Sequence, residues 1–330
     1  MKEPKSGHKE RILISVVMPA YNRANFVGRA IDSVLTQEVD ADIELLIGDN
    51  ASTEDTKSVY EEYMQKYPGK ITVFYRKENL GIGPNWASLV LSAKGKYVCN
   101  CDNDDFWHNP HKLQVQLDYM ESRPQANVLF TNFRTLYSKT GKIEESDLHP
   151  AIQSKEAFQK DIWHGFSKNT YHISTIMFRR DFVLKNVPLR GFIDRRLPLQ
   201  DWPFYLLLSE HTFFDFIPDS TATFCIHGES YTHKRTYEDL SKRLDRDAEN
   251  LKFIYEHIPH LGTFDPVDWG YYTNDRLLSL AYTNNDYRSA HQYAKQTKYR
   301  SIKKKMACTW LTFKLYVWAS KLKRKSNGYT

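Results

Sequence analysis

The chain has 330 residues, 41% of them hydrophobic and 14% aromatic, and carries a formal net charge of +6. That length buries a full core with room for an appendage, and the composition is globular rather than fibrous or disordered. No window reaches the ~20 apolar residues of a membrane span, Met1–Arg11 shows no signal-peptide pattern, and Cys99, Cys101, Cys225 and Cys308 lack metal-finger spacing, so reduced thiols and a cytoplasmic protein are expected.

Ile12–Met18 is a continuous β-branched run, the pattern of a strand buried on both faces. After Pro19-Ala20-Tyr21-Asn22, the spacing of Phe26, Val27, Ala30, Ile31, Val34 and Leu35 predicts a helix, with Asn22 as its N-cap. Ile43–Ile47 reads as a second strand ending at Asp49-Asn50, followed by a helix through Val59, Tyr63 and Tyr67 capped by Ser52 or Thr53. Ile71–Tyr75 is a third strand, and Pro84 opens a helix from Trp86 to Ala93. Lys96–Cys101 is a fourth strand, Pro110–Glu121 a helix and Asn127–Thr131 a fifth strand. The pattern then loosens through the polar stretch Ser138–Lys155. An apolar segment Ile173–Phe178, a helix near Asp201–Leu208 and strand-like runs Phe213–Ile217 and Ala222–Ile226 follow. From Tyr237 onward the sequence reads as helical.

Strands alternating with helices predict an α/β fold with a doubly wound, mostly parallel sheet, which binds ligands beyond the carboxyl ends of its strands. Tyr21, Asp49, Asn50 and the cluster Asp102-Asn103-Asp104-Asp105 all fall there. Three carboxylates where a buried strand meets a loop repel one another, and a hard cation such as Mn²⁺ or Mg²⁺ is the simplest resident that makes the arrangement favourable. A solvated acidic turn is the competing explanation.

In order and spacing, Ser15–Asn22, Asp49–Thr56, Asn79–Asn85, Ala93–Val98 and Asp102–Asp105 with Trp107 and Pro110 resemble the family 2 glycosyltransferases, nucleotide-sugar-dependent enzymes of the GT-A fold. The likeness is strong over residues 12–120 and weaker to about residue 230. It implies a nucleoside diphosphate sugar donor, most simply a UDP-sugar, inverting transfer, and a glycan or lipid-linked glycan acceptor. Pro19, Tyr21, Asn22, Asp49, Asn50, Asn85, Asp102 and Asn103 fall among the family's nucleotide and donor positions. Asn50 replaces an acid, which leaves the base-reading role open between Asp49 and Asn50. By the same resemblance Asp104 holds the metal, His227 completes its shell or meets the diphosphate, and Asp201 is the catalytic base, although Asp201 also suits an N-cap. The implied organisation is a flexible stretch 1–11, a catalytic domain 12–234 (nucleotide-sugar side 12–131, acceptor side 132–234) and a helical region 235–330 ending in a basic tail.

No G-x-G-x-x-G or P-loop lies between the first strand and helix, which excludes the dinucleotide and P-loop readings. A catalytically degenerate relative, or a binder of anionic polymers, are the alternatives. The second is motivated by charge. After Asp286 there is no acid, and twelve Lys and Arg lie between Arg288 and Lys325, leaving the first 286 residues at −6. Lys303–Lys305 and Lys321–Lys325 bracket the aromatic Met306–Ser320, a pattern suited to the inner face of an anionic membrane and poorly suited to nucleic acid.

Overall fold

The computed structural model describes residues 13–147, 171–227, 236–261, 263–297 and Lys314. The expectations for 1–11, for the second half of Ser138–Lys155, for Gly228–Ser230 and for nearly all of the basic tail lie outside these residues. The chain divides into two compact units, Met1–Gly228 and Glu229–Thr330.

In the first unit, β1 (Leu13–Ala20), β2 (Asp42–Asp49), β3 (Ile71–Tyr75) and β4 (Tyr97–Asn100) form a parallel group in the order β3-β2-β1-β4. Register aligns their carboxyl ends, Ala20 lying beside Asp49 and Asp49 beside Tyr75. Ile14, Val16, Val17 and Met18 are fully buried, as a strand covered on both faces requires. Helices α1 (Ala24–Leu35), α2 (Thr56–Lys66), α3 (Ile82–Ser92) and α4 (Lys112–Ser122) supply the cover. Gly83 seats α3: a Cβ there would stand 2.2 Å from the Leu197 carbonyl oxygen.

Two expected caps differ. Asn22 and Arg23 are both left-handed, with φ of 57° and 78°, and the N-cap position of α1 is Arg23, whose side chain makes no capping bond to the helix. Instead the Glu54 carboxylate accepts from the Ala24 amide at 2.9 Å. Helix α2 is capped by Asp55 through the Ser58 amide, not by Ser52 or Thr53.

The sheet continues as β8 (Met177–Arg179), β6 (Val128–Tyr137), β9 (Asp215–Ile226) and β5 (Phe106–Trp107), with β7 (Lys142–Glu145) paired to β6. This half is mixed: β8 is antiparallel to β4 and β6, while β6 and β9 run parallel. The two runs near residues 213–226 form one strand, because a bulge opposite Asn132 absorbs Pro218, whose carbonyl accepts from Asn132 Nδ2 at 2.9 Å. Three helices belong to this half, α5 (Arg180–Asn186), α6 (Leu189–Asp194) and α7 (Asp201–Ser209). Trp86 of α3 packs on Phe192 at 5.8 Å and Phe204 at 4.8 Å.

The second unit holds α8 (Tyr237–His257), α9 (Pro266–Thr283) and α10 (Tyr287–Gln296), as the helical pattern predicts. Thr236, Asp265 and Asp286 cap them in turn, and Leu278, Ala281, Tyr282, Ala290 and Ala294 form its core.

Candidate active site

The turn after β1 and the turn after β2 lock together. Asn22 Oδ1 accepts from the Thr53 amide at 2.9 Å, and the Asn22 amide donates to Ser52 Oγ at 2.8 Å. Asp49, 5% exposed, accepts from the Ser52 amide at 2.9 Å and from Thr56 Oγ1 at 2.8 Å. Asn50 pins the turn that precedes α3: its Nδ2 donates to Asn79 Oδ1 and the Gly81 carbonyl, and its Oδ1 accepts from the Leu80 amide. Both amide hydrogens of Asn50 are therefore engaged within the protein.

Asn85, expected among the donor-binding residues, is 1% exposed and sits behind the strand tips. Its Nδ2 donates to the Gly48 carbonyl at 2.6 Å and its Oδ1 accepts from Arg76 Nε at 3.0 Å. Gly48 must lack a side chain, since a Cβ there would meet Asn85 Oδ1 at 2.4 Å. Asn85 is thus a brace between β2, α3 and Arg76. Tyr21, in contrast, is 44% exposed beyond the end of β1, directly after Pro19 and Ala20.

The acidic loop spans from β4 to β5, and the 3-10 turn Ile173–Thr175 holds it. Ser174 Oγ accepts from the Asp102 amide at 3.2 Å and donates to Asp105 Oδ2 at 2.9 Å, while Trp107 Nε1 donates to the Ser174 carbonyl at 2.8 Å. Asp105 also accepts from the Cys225 amide at 3.0 Å, and His172 Nε2 lies 3.6 Å from its Oδ2. His172 Nδ1 accepts from the Ser174 amide, so its proton sits on Nε2, facing Asp105. Burial pushes the His172 pKa down to about 4 and drives the Asp105 carboxyl well above its usual range, with the Asp104 and Asp102 charges adding to the latter. Asp105 is thus an anchor for the loop.

Asp104 is the more open acid. Its Oδ2 accepts from His227 Nε2 at 2.9 Å and from Arg23 Nε at 3.5 Å. Asn103 Nδ2 donates to the Asn22 carbonyl at 3.0 Å, tying this loop to the β1 turn. Asp102 accepts from Asn100 Nδ2 at 2.9 Å, and burial plus the Asp104 and Asp201 charges push its pKa up to about 7. Asp201 is the first residue of α7, following Gln200 at the cap position, and accepts from the Trp202 amide at 2.8 Å. Burial raises its pKa too, which makes its carboxylate the stronger base.

The strand tips therefore gather Tyr21, Asn22, Asp49 and Asn50 on one side, and Asp102, Asn103, Asp104, His227 and Asp201 on the other. Sequence reasoning missed Arg23, His172, Ser174 and Asn100. Ser174 lay inside a segment noted only as apolar, and Arg23 stood directly after the Tyr-Asn turn.

Residues 15–186, more than half of the chain, match the family described as glycosyl transferase family 2. The chain belongs to glycosyl transferase family 2. Relatives within reach include an uncharacterized protein of Mycobacterium tuberculosis, 25% identical over 229 residues, which cover 69% of this chain and 63% of that protein. Chondroitin synthase of Escherichia coli is 26% identical over 76% of this chain and 33% of its own length. A putative teichuronic acid biosynthesis glycosyltransferase of Bacillus subtilis is 34% identical over 34% of this chain and 44% of its own. The chain thus spans less than two thirds of these family members. Among solved structures, S. aureus TarS 1-349 in complex with UDP-GlcNAc aligns with TM-score 0.54 at 14% identity, covering 96% of this chain and 92% of that one. The mannosyltransferase PcManGT of Pyrobaculum calidifontis in complex with GDP-Man and Mn²⁺ aligns with TM-score 0.51 at 16% identity, covering 96% and 87%. The shared fold is that of GT-A glycosyltransferases.

Proposed function

We propose that this protein is an inverting glycosyltransferase that moves a sugar from a nucleoside diphosphate donor, most simply a UDP-sugar, to a hydroxyl of a glycan or lipid-linked glycan. The observation that carries this reading is the convergence of Asp102, Asp104, His227 and Asp201 beyond the carboxyl end of β4, opposite Tyr21 and Asp49 at the ends of β1 and β2. Family membership, and a structural relative solved with UDP-GlcNAc, support it.

Tyr21 offers its exposed ring to the base. Asp49 reads the base edge: each of its oxygens accepts one bond from the protein and a carboxylate oxygen takes two, so it retains capacity for the ring N–H of uracil. Asn50 and Asn22 act behind it by fixing the turns.

Among the described residues, no group of three or more His, Cys, Asp or Glu is placed to hold a metal ion. The donor set nevertheless fits Mn²⁺ or Mg²⁺, which commonly take one or two carboxylates and complete their shell with water and substrate phosphates. Asp104 would hold the ion, with His227 beside it. When bound, it neutralises charge on the departing nucleoside diphosphate. Arg23 adds positive charge at the same spot. Asp201 takes the proton from the acceptor hydroxyl at its carboxylate oxygen as attack proceeds. The test is a donor screen read by released nucleotide, followed by the anomeric configuration of the product. A β-linkage from an α-linked donor is expected; an α-linkage contradicts inversion.

The acceptor's location is a separate part of this proposal. No helix among the described residues is long and apolar enough to cross a membrane. Lysines flanking Met306–Ser320 would hold the protein at an anionic membrane surface, beside a lipid-linked acceptor. The competing role is packing, and Lys314 Nζ donating to Asn285 Oδ1 at 3.0 Å in the turn between α9 and α10 favours some of it. Salt-sensitive flotation with anionic vesicles, lost on truncation after Arg300, is expected of membrane binding. Equal flotation of the truncated chain contradicts it.

A further inference from the structure

Tyr205 lies one turn beyond Asp201 on α7, and residues four apart on a helix share a face. Its ring is fixed by neighbours on several sides: Phe130 at 5.4 Å, Phe204 and Phe214 each at 6.0 Å, and Tyr171 at 6.4 Å. Tyr205 is 5% exposed, yet its hydroxyl has no hydrogen-bond partner among the described residues. Asn100 repeats the pattern at the end of β4. It is fully buried, its Nδ2 serves Asp102 Oδ1, and its Oδ1 also has no partner among the described residues. Buried polar atoms left unpaired are costly and rare, so two of them around one pair of carboxylates call for an explanation. The three groups are near one another: after burial, the Asp201 and Asp102 charges are what raise the Tyr205 pKa.

The chemistry of the missing partner follows from the groups that surround it. Two carboxylates and an amide carbonyl are acceptors, and the phenol both donates and accepts. A phosphate is disfavoured beside Asp102 and Asp201, and the groups that suit it, the Arg23 cation and the His227 imidazole, stand at Asp104 instead. A sugar ring without charge has hydroxyls that donate to the acceptors and accept from the phenol. With a diphosphate at Asp104, the sugar attached to it would have as neighbour Asp102, which feels both the Asp104 and Asp201 charges and is held by Asn100 Nδ2.

We propose that Tyr205 on α7 and Asn100 at the end of β4, each near Asp102, bind hydroxyls of the transferred sugar and that this sugar is uncharged rather than a uronic acid. This rests on the glycosyl-transfer reading above and adds the class of sugar and the residue that recognises it.

Tyr205→Phe is the test, because it keeps the ring and its packing and removes only the hydroxyl. Calorimetry in Mn²⁺ would compare UDP, UDP-glucose, UDP-N-acetylglucosamine and UDP-glucuronate on the intact protein and the variant. The intact protein is expected to bind at least one of the two neutral UDP-sugars more tightly than UDP-glucuronate. Tyr205→Phe is expected to weaken that sugar about three- to tenfold, the scale of one net hydrogen bond, while leaving UDP unchanged. Retained UDP affinity also shows that the variant is folded. Equal affinity of variant and intact protein for the neutral UDP-sugar, equal losses for UDP and the UDP-sugar, or tighter binding of UDP-glucuronate each overturn the inference alone. An intact protein that binds none of the four probes overturns the donor reading and this inference with it.

Discussion

At the tips of β1, β2 and β3, Asn22, Asp49, Asn50 and Asn85 hold one another's turns, and their hydrogen bonds are made before any ligand arrives. Around β4 and α7 the arrangement is the opposite. Burial raises the pKa of Asp102 and of Asp201, and Asn100 Oδ1 and the Tyr205 hydroxyl have no partner among the described residues. A region whose polar groups are already satisfied is a rigid seat, suited to the invariant part of a substrate. A region with unmet acceptors and neighbouring like charges is stable only in part by itself and gains most from a cation or a hydroxyl-bearing ligand. On the proposed function, the nucleotide belongs to the first description and the reacting centre to the second.

The sharpest way to break this contrast is Asp104→Ala. It should abolish turnover and weaken donor binding while leaving the melting temperature unchanged or raised, because the acidic loop loses one of its repelling charges. A fully active Asp104→Ala protein removes the basis for a metal at this loop. Next in size is Asp201→Asn, which keeps the shape and removes the base. Transfer should fall by at least ~10²-fold with donor affinity unchanged. A loss of donor affinity in step with rate would move Asp201 to the seat rather than to the chemistry.

The preformed side responds in stability. Asn85→Ala leaves the Gly48 carbonyl and Arg76 Nε without their partners and should cost about 1–3 kcal/mol in denaturant unfolding. An unchanged midpoint would show that this side is less rigid than its bonds suggest. The smallest effect concerns Lys112, fully buried beneath the acidic loop, over the Trp107 ring at 4.2 Å and bonded to Gln116. Burial pushes its pKa down to about 8. Between about pH 8 and its unfolded value of about 10.4 only the unfolded chain holds the proton, so Lys112 destabilises the fold below pH 8 and progressively less above it. Relative to Lys112→Met, the intact protein should gain stability as pH rises from 7 to 10. A constant difference across that range contradicts the depressed pKa.

The parallel half of the fold was legible because burial on both faces writes continuous β-branched runs such as Ile14–Met18, and because helices between them keep a 3.6-residue period. The mixed half was not. Strand β5 is two residues long, too short for any periodicity, and β9 contains a proline that reads as a break until the bulge at Asn132 accommodates it. In the site, acids clustered at a strand end announce themselves by charge. Ser174, His172 and Tyr205 do not, because each looks like an ordinary residue of an apolar stretch until the sheet brings it to the acidic loop. Asn85 adds a structural part the motif does not show: its amide holds the Gly48 carbonyl and Arg76.

The central claim is that the acidic side works on a nucleotide-activated sugar with the help of a divalent ion. Nucleotide release from a panel of UDP-sugars, measured on the intact protein in Mn²⁺ and again in excess EDTA, tests it most directly. The account predicts UDP release in Mn²⁺ from at least one donor and its loss in EDTA. No release from any donor, or equal release in EDTA, would contradict it.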